Sequence, residues 1–272
     1  MIDRRPCGRA VLGGTIVDAE ALLLPWADPL AQWGLGVFET VAVSDGLPRH
    51  LDEHLRRLGS AALRLGVTLP AAVELSRAAR LVAEDGAKGN AWLKIVVSRS
   101  GLWAVFSGPI GADDDGGTIS AIVLPWRRHR LEPTAGIKAT GCAASMLGLD
   151  EARRRGADEG LWLNERGHVM GACTGNVFVL RGRAVVTPST RDGARDGVTR
   201  ARAIDALRTF GLSVRQSKVR IATLRSADEV FVTSSLRGVR PVIRIDGRDV
   251  RGGGPGPIAT RLTAALTVTT SS

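Results

Sequence analysis

Two stretches organise the reading of this chain: Gly136-Ile137-Lys138-Ala139-Thr140, and beyond it Gly156-Ala157-Asp158-Glu159-Gly160-Leu161-Trp162-Leu163. Lysine is scarce, since among 37 lysines and arginines only Lys88, Lys94, Lys138 and Lys218 are lysines. Where composition turns nearly every cation into arginine, a lysine inside an apolar segment stands out for its amine. That amine can lose its proton when desolvated and attack a carbonyl, whereas a guanidinium stays charged. The plainer alternative for Lys138 is a strand-edge lysine with its stem on apolar surface and its head in water.

Outward from that stretch, 272 residues suffice for one large domain or two moderate ones with a proper core. The longest apolar runs, such as Ala21-Leu22-Leu23-Leu24-Pro25-Trp26, are too short to span a bilayer, and Met1-Ile2-Asp3-Arg4-Arg5-Pro6-Cys7 lacks the apolar core of a signal peptide. A cytoplasmic protein without a membrane partner is expected. Cys7, Cys142 and Cys173 have no CxxC spacing, and His50, His54, His129 and His168 are scattered, so neither a disulfide framework nor a metal site is indicated. The net charge of +10 is spread through arginines interleaved with acids, and only Trp126-Arg127-Arg128-His129-Arg130 forms a dense cluster. That pattern argues against nucleic acid as a partner and favours a small anionic one.

Residues 9–17 read as two short strands around Gly13-Gly14, and Val37 to Val43 as a strand closed by the turn Ser44-Asp45-Gly46. Gly34 and Gly36 mark a place where backbone bends or a ligand comes close. Leu51, Leu55, Leu58, Ala62 and Leu65 recur at helical spacing, and a second helix is expected over 71–83. Residues 91–98 and 117–124 read as strands of the same first unit, and 125–134 as a basic, proline-bounded linker. Helices over 147–155 and 199–211, with Ala201, Ile204, Ala206, Leu207 and Phe210 as apolar positions, alternate with strands at 160–164, 177–180 and 229–233. A hairpin over 242–248 and a last short helix complete a second unit.

Taken in order, these segments resemble the fold-type IV pyridoxal-phosphate enzymes, which comprise branched-chain and D-amino-acid aminotransferases and the 4-amino-4-deoxychorismate lyases. The likeness is carried by Gly34-x-Gly36-Val37-Phe38-Glu39-Thr40, Glu53-His54-Leu55-Arg56-Arg57-Leu58, Gly156-Ala157-Asp158-Glu159, Gly167-His168-Val169, Gly175-Asn176-Val177-Phe178, Thr187-Pro188 and Gly197-Val198-Thr199-Arg200. Ser234-Ser235-Leu236-Arg237-Gly238-Val239-Arg240-Pro241 is similar to the lyase version. The resemblance implies an α/β (α+β) two-domain fold: a smaller N-terminal α/β sandwich over 1–125, a linker over 126–135 and a larger C-terminal pseudo-barrel over 136–272. It also implies a homodimer and a site in the cleft between the domains.

Carried over, Lys138 falls where the family forms its Schiff base with pyridoxal 5'-phosphate. Arg57, Val198, Thr199 and Ser235 fall where the phosphate is held, by a guanidinium fork, by amides and a hydroxyl at a helix start, and by a serine. Arg99, Phe38 and Trp33 are candidate substrate-binding residues, with Arg99 either a carboxylate anchor or a strand-end charge. Three positions depart from the pattern. Gly171 stands where the family has a glutamate against the pyridine nitrogen, Cys142 lies near a usual tyrosine, and Leu35 replaces an acid between the early glycines. Loss of the glutamate weakens an aminotransferase reading, because transamination needs a strong electron sink. Release of pyruvate from aminodeoxychorismate makes an aromatic ring and asks less of it. The expected function is therefore a lyase similar to aminodeoxychorismate lyase, in folate or aromatic-amine biosynthesis. The alternatives are a branched-chain or D-amino-acid aminotransferase, and a homologue that has lost pyridoxal phosphate.

Overall fold

The computed structural model describes residues 5–85, 89–111 and 117–268, which form two compact units. The first unit holds the residues up to 111 together with Ile137–Cys142. Its elements are β1 (Arg9–Leu12), β2 (Thr15–Asp18), α1 (Pro29–Trp33), β3 (Gly36–Ser44), β4 (Leu47–Pro48), α2 (Leu51–Leu65), α3 (Ala72–Asp85), β5 (Asn90–Ser98) and β6 (Trp103–Pro109). The strands form one antiparallel sheet in the order β2-β1-β6-β5-β3-β4. Period-2 alternation turns Val37, Val41 and Val43 to one face, where they meet Leu51 and Leu58 of α2 and Leu75 and Ala79 of α3 in a buried cluster. Truncating a fully buried member such as Leu58 to alanine costs about 2–5 kcal/mol. The short α1 starts on Asp28, whose carboxylate accepts from Leu30 N, with Pro29 in the first turn.

The second unit holds 117–136 and 143–268. Its elements are β7 (Ile119–Arg128), α4 (Ala143–Arg154), β8 (Glu159–Asn164), β9 (Val169–Ala172), β10 (Asn176–Arg181), β11 (Ala184–Pro188), α5 (Val198–Thr209), β12 (Ser213–Ser217), α6 (Ile221–Arg225), β13 (Glu229–Ser234), β14 (Gly238–Ile245), β15 (Arg248–Asp249) and α7 (Pro257–Val268). The sheet order is β12-β11-β10-β13-β14-β7-β8-β9, with β15 paired to β14. Ala172 N donates to Gly175 O at 2.9 Å, so β9 curls back to β10. One face of the sheet gathers Leu161, Val169, Val177, Val230, Val232 and Val242. The other packs Phe178 and Phe231, stacked at 5.0 Å, against Ile204 and Leu207 of α5 and Leu262 of α7.

Several expectations change. The strand expected to close the first unit is β7, and it lies in the second sheet between β14 and β8, parallel to both. Its nearly continuous apolar run suits a strand buried on both faces, and such a run does not say which sheet takes it. The first residues of the basic segment expected as a linker are the end of the same strand, which runs to Arg128, because Arg127 and Arg128 pair with Leu163 and Asn164 after a register shift beside Pro125. The expected boundaries at 125/126 and 135/136 therefore move. Lys138, expected in the C-terminal domain, belongs to the first unit, where Ile137 and Ala139 pack into the sheet–helix core. In α5 the buried alanine is Ala203, and Ala201 is exposed.

Candidate active site

In the first unit the site is built on the first half of β3. One edge of that strand pairs with β5, and the other takes 138–140 as a short antiparallel partner. Phe38 N donates to Lys138 O at 3.1 Å and Thr140 N to Gly36 O at 3.0 Å. Gly36 is a close-approach glycine, since a Cβ there would stand 2.6 Å from Val97 O and 3.2 Å from Thr140 Oγ1. The pairing sets side-chain direction: Ile137 and Ala139 turn into the core, and Lys138 turns the other way, with Nζ 4.1 Å from the Phe38 ring centroid. Lys94 of β5 approaches the same ring at 4.9 Å.

On the helix side of β3, directly after Phe38, lies Glu39, 0% exposed. Arg57 of α2 donates to it twice, Nε to Oε1 at 2.7 Å and Nη2 to Oε2 at 2.5 Å. His54, one turn earlier and 1% exposed, lies 2.8 Å from Oε2 through Nδ1. Burial pushes the Glu39 carboxyl up, but the bonds and charges of Arg57 and His54 outweigh it and hold it at about 2. Burial lowers His54, Glu39 opposes this, and the Arg57 and Lys138 charges add to it. The imidazole is thus neutral near pH 7 and donates Nδ1–H to the carboxylate.

The sheet face that carries Phe38 also walls a cavity of about 400 Å³ lined by Phe38, Val96, Phe106, Leu22, Lys94 and Cys142, among others. It is apolar apart from Lys94, Thr140 and Cys142.

In the second unit, α5 follows the N-cap residue Gly197, which has no side chain with which to cap it. The preceding loop is held by Asn176, whose Nδ2 donates to Arg195 O at 2.8 Å, and by buried Arg200, which donates to Pro188 O at 2.9 Å and Gln216 Oε1 at 3.0 Å. Only glycine fits at 197, because a Cβ would stand 2.1 Å from Asn176 Oδ1. Asn176 also pairs across the sheet with Thr233, two residues before Ser235. Val198, Thr199 and Ser235 therefore gather at the Asn176 end of β10. Gly171 lies at the same end, where its Cβ would be 3.3 Å from Gly175 O.

Lys138 and Phe38 are thus brought together on one side of β3, Arg57 lies on its helix side, and Val198, Thr199 and Ser235 share one end of the second sheet. Arg99 is exposed, with a guanidinium nitrogen 3.9 Å from where a Cβ of Gly66 would be. Trp33 and Leu35 are exposed at 66% and 36%, and Cys142 faces the cavity. Sequence reasoning left Glu39, His54 and Lys94 without roles. The scarcity that singles out Lys138 applies equally to Lys94, and Glu39 is the one acid on the apolar alternation Val37-Glu39-Val41-Val43.

The residue types in each unit are compatible with groups that pyridoxal phosphate carries. Within the first unit the Arg57 fork suits a phosphate and the Lys138 amine an aldehyde, and within the second the amides at the α5 start suit a phosphate. At 171 the chain offers the ring nitrogen no carboxylate.

The family model described as amino-transferase class IV matches residues 36–245. The chain is 28% identical over 255 residues to an aminodeoxychorismate lyase of Bacillus subtilis (strain 168), covering 87% of this chain and 86% of the relative. It is 24% identical over 274 residues to a D-alanine aminotransferase of Bacillus licheniformis, covering 95% of each. Among solved structures, the branched-chain aminotransferase from the thermophilic archaeon Thermoproteus uzoniensis, determined with norvaline, superposes with a TM-score of 0.87 at 28% identity, covering 96% of this chain and 93% of that one.

Proposed function

We propose, on the premise that this chain belongs to the class IV aminotransferase family, whose members use pyridoxal phosphate, that it is a lyase similar to aminodeoxychorismate lyase. It would release pyruvate and 4-aminobenzoate or a related aromatic amine. The observation that carries this reading is Gly171, a buried glycine beside Gly175 where the resemblance puts a carboxylate. When bound, pyridoxal phosphate supplies an electron sink, and without that carboxylate the sink is weak, which suits a reaction driven by aromatisation.

Lys138, Arg57, Val198, Thr199 and Ser235 are the residues that would hold the cofactor. Lys138 Nζ, on a backbone pinned to β3, takes the proton from the substrate ring and returns one to the departing enolpyruvyl carbon, so it is both base and acid. The apolar cavity beside Phe38 suits a planar ring, and Lys94 in its wall suits a carboxylate, a role for which Arg99 is less well placed. Water is kept from the Lys138 amine on the side covered by the Phe38 ring.

A branched-chain or D-amino-acid aminotransferase is the second reading, favoured by the similarity to the D-alanine and branched-chain enzymes. Two experiments separate these readings from each other and from a chain that has lost the cofactor. Borohydride reduction of the protein with pyridoxal phosphate, followed by peptide mapping, should label Lys138; no label would remove both enzyme readings. Pyruvate release from aminodeoxychorismate without a keto-acid acceptor supports the lyase, and turnover only with an amino donor and a keto acid overturns it.

A further inference from the structure

A carboxylate with no solvent exposure on the core face of a strand is costly unless fully partnered. Glu39 stands in such a place, between Val37 and Val41, where an apolar residue would pack without cost. What it does there is specific. Its two oxygens take Arg57 side-on through Nε and Nη2, the geometry that fixes a guanidinium in plane as well as in position. His54 supplies a third donor to Oε2, and it does so from the same helix face as Arg57, three residues earlier. The carboxyl, held at about 2, is ionised at every working pH, and the neutral imidazole adds a hydrogen bond without adding a competing charge.

We propose that Glu39 and His54 are positioning residues: Glu39 locks the plane of the Arg57 guanidinium, and His54 locks Glu39, so that Arg57 presents one fixed edge to a phosphate monoester. This deepens the proposed function and rests on its assignment of Arg57 to the phosphate. Arg57 itself is only 16% exposed at its side chain, so without the lock it has few arrangements open to it and the wrong ones bury its charge unpaired.

The test compares the dissociation constants of pyridoxal 5'-phosphate and of pyridoxal, which lacks the phosphate, by equilibrium dialysis against the full chain and its variants. The ratio of the pyridoxal constant to the pyridoxal 5'-phosphate constant isolates the phosphate. Arg57→Ala should lower the ratio about 10- to 100-fold. Glu39→Gln should lower it about tenfold, and should add nothing in the Arg57→Ala background, because the effect runs through Arg57. If Arg57→Ala lowers the ratio and Glu39→Gln does not, or if the two effects add, the positioning role is overturned while the phosphate role of Arg57 stands. An unchanged ratio in Arg57→Ala overturns both. Should Glu39→Gln fail to fold, His54→Gln leaves the Glu39–Arg57 pair in place, and a ratio two- to threefold lower supports the proposal, whereas an unchanged one overturns it.

Discussion

On the proposed reading, the two units would offer an anion two different kinds of grip. In the first, a formal charge on Arg57 is clamped by a buried carboxylate and a neutral imidazole, so position is fixed by three charge-assisted or charge-neutral bonds. In the second, the donors would be backbone amides and hydroxyls at a helix start with glycine at its N-cap, fixed by Asn176 and Arg200 through the loop before it. A clamped charge is strong, and its cost is met in the core. A helix start carries no formal charge to desolvate, although its amides still need partners, and it is weaker for each donor. Lys138 is placed by a third means, the pairing of its backbone with β3.

That separation predicts the largest effect at Lys138. Lys138→Ala should cut turnover by about four orders of magnitude and abolish borohydride labelling, while leaving the dissociation constant of the phosphate-bearing cofactor less affected than Arg57→Ala does. An equal loss of binding in both variants would break the distinction between chemistry and grip.

Acid should expose the clamp next. The folded Glu39 carboxyl lies at about 2 against an ordinary 4.5, so its contribution is complete above 4.5 and is lost as pH falls from there through about 2. The contribution is on the order of 3 kcal/mol. His54 is lowered from 6.5, so the unfolded chain gains its proton first and stability begins to fall below that pH. Melting temperature followed against pH should lose the early decline in His54→Gln and the later one in Glu39→Gln. If both declines persist in the variants, the clamp does not stabilise the fold.

Between the two grips, Arg57→Ala should weaken cofactor binding by tens of fold, and Thr199→Val by only a few fold, as read in the same dialysis. Equal losses would erase the contrast. Gly197→Ala, whose new Cβ would displace the Asn176 amide from Arg195, should cost about 1–3 kcal/mol by denaturant melts. The smallest effects belong to the substrate side. Lys94→Ala should raise KM for an anionic substrate about tenfold, and Arg99→Ala less than twofold; the reverse order would return the anchor to the strand end.

Much of this could be read from the residues. The strand over 37–43 and the two helices after it follow from local period, whereas Lys138, Arg57, Thr199 and Ser235 are singled out by the resemblance that the ordered short motifs carry. Glu39 and His54 were quoted within those motifs yet had no role. A carboxylate on an apolar alternation announces a partner without saying which, and the partner lies 18 residues away in sequence and 2.7 Å away in space. Lys94 satisfied the scarcity argument but had no cavity until Leu22, Phe106 and Cys142 converged on it.

By itself, then, the sequence determined the longer strands and helices, the family through the resemblance of its ordered motifs, and the amine chemistry available at Lys138. Which sheet takes β7, and which unit takes Lys138, were decided only by tertiary structure. Strand pairing is satisfied by any edge that offers matching hydrogen bonds and a covering apolar face, and that choice is made between segments far apart in the chain.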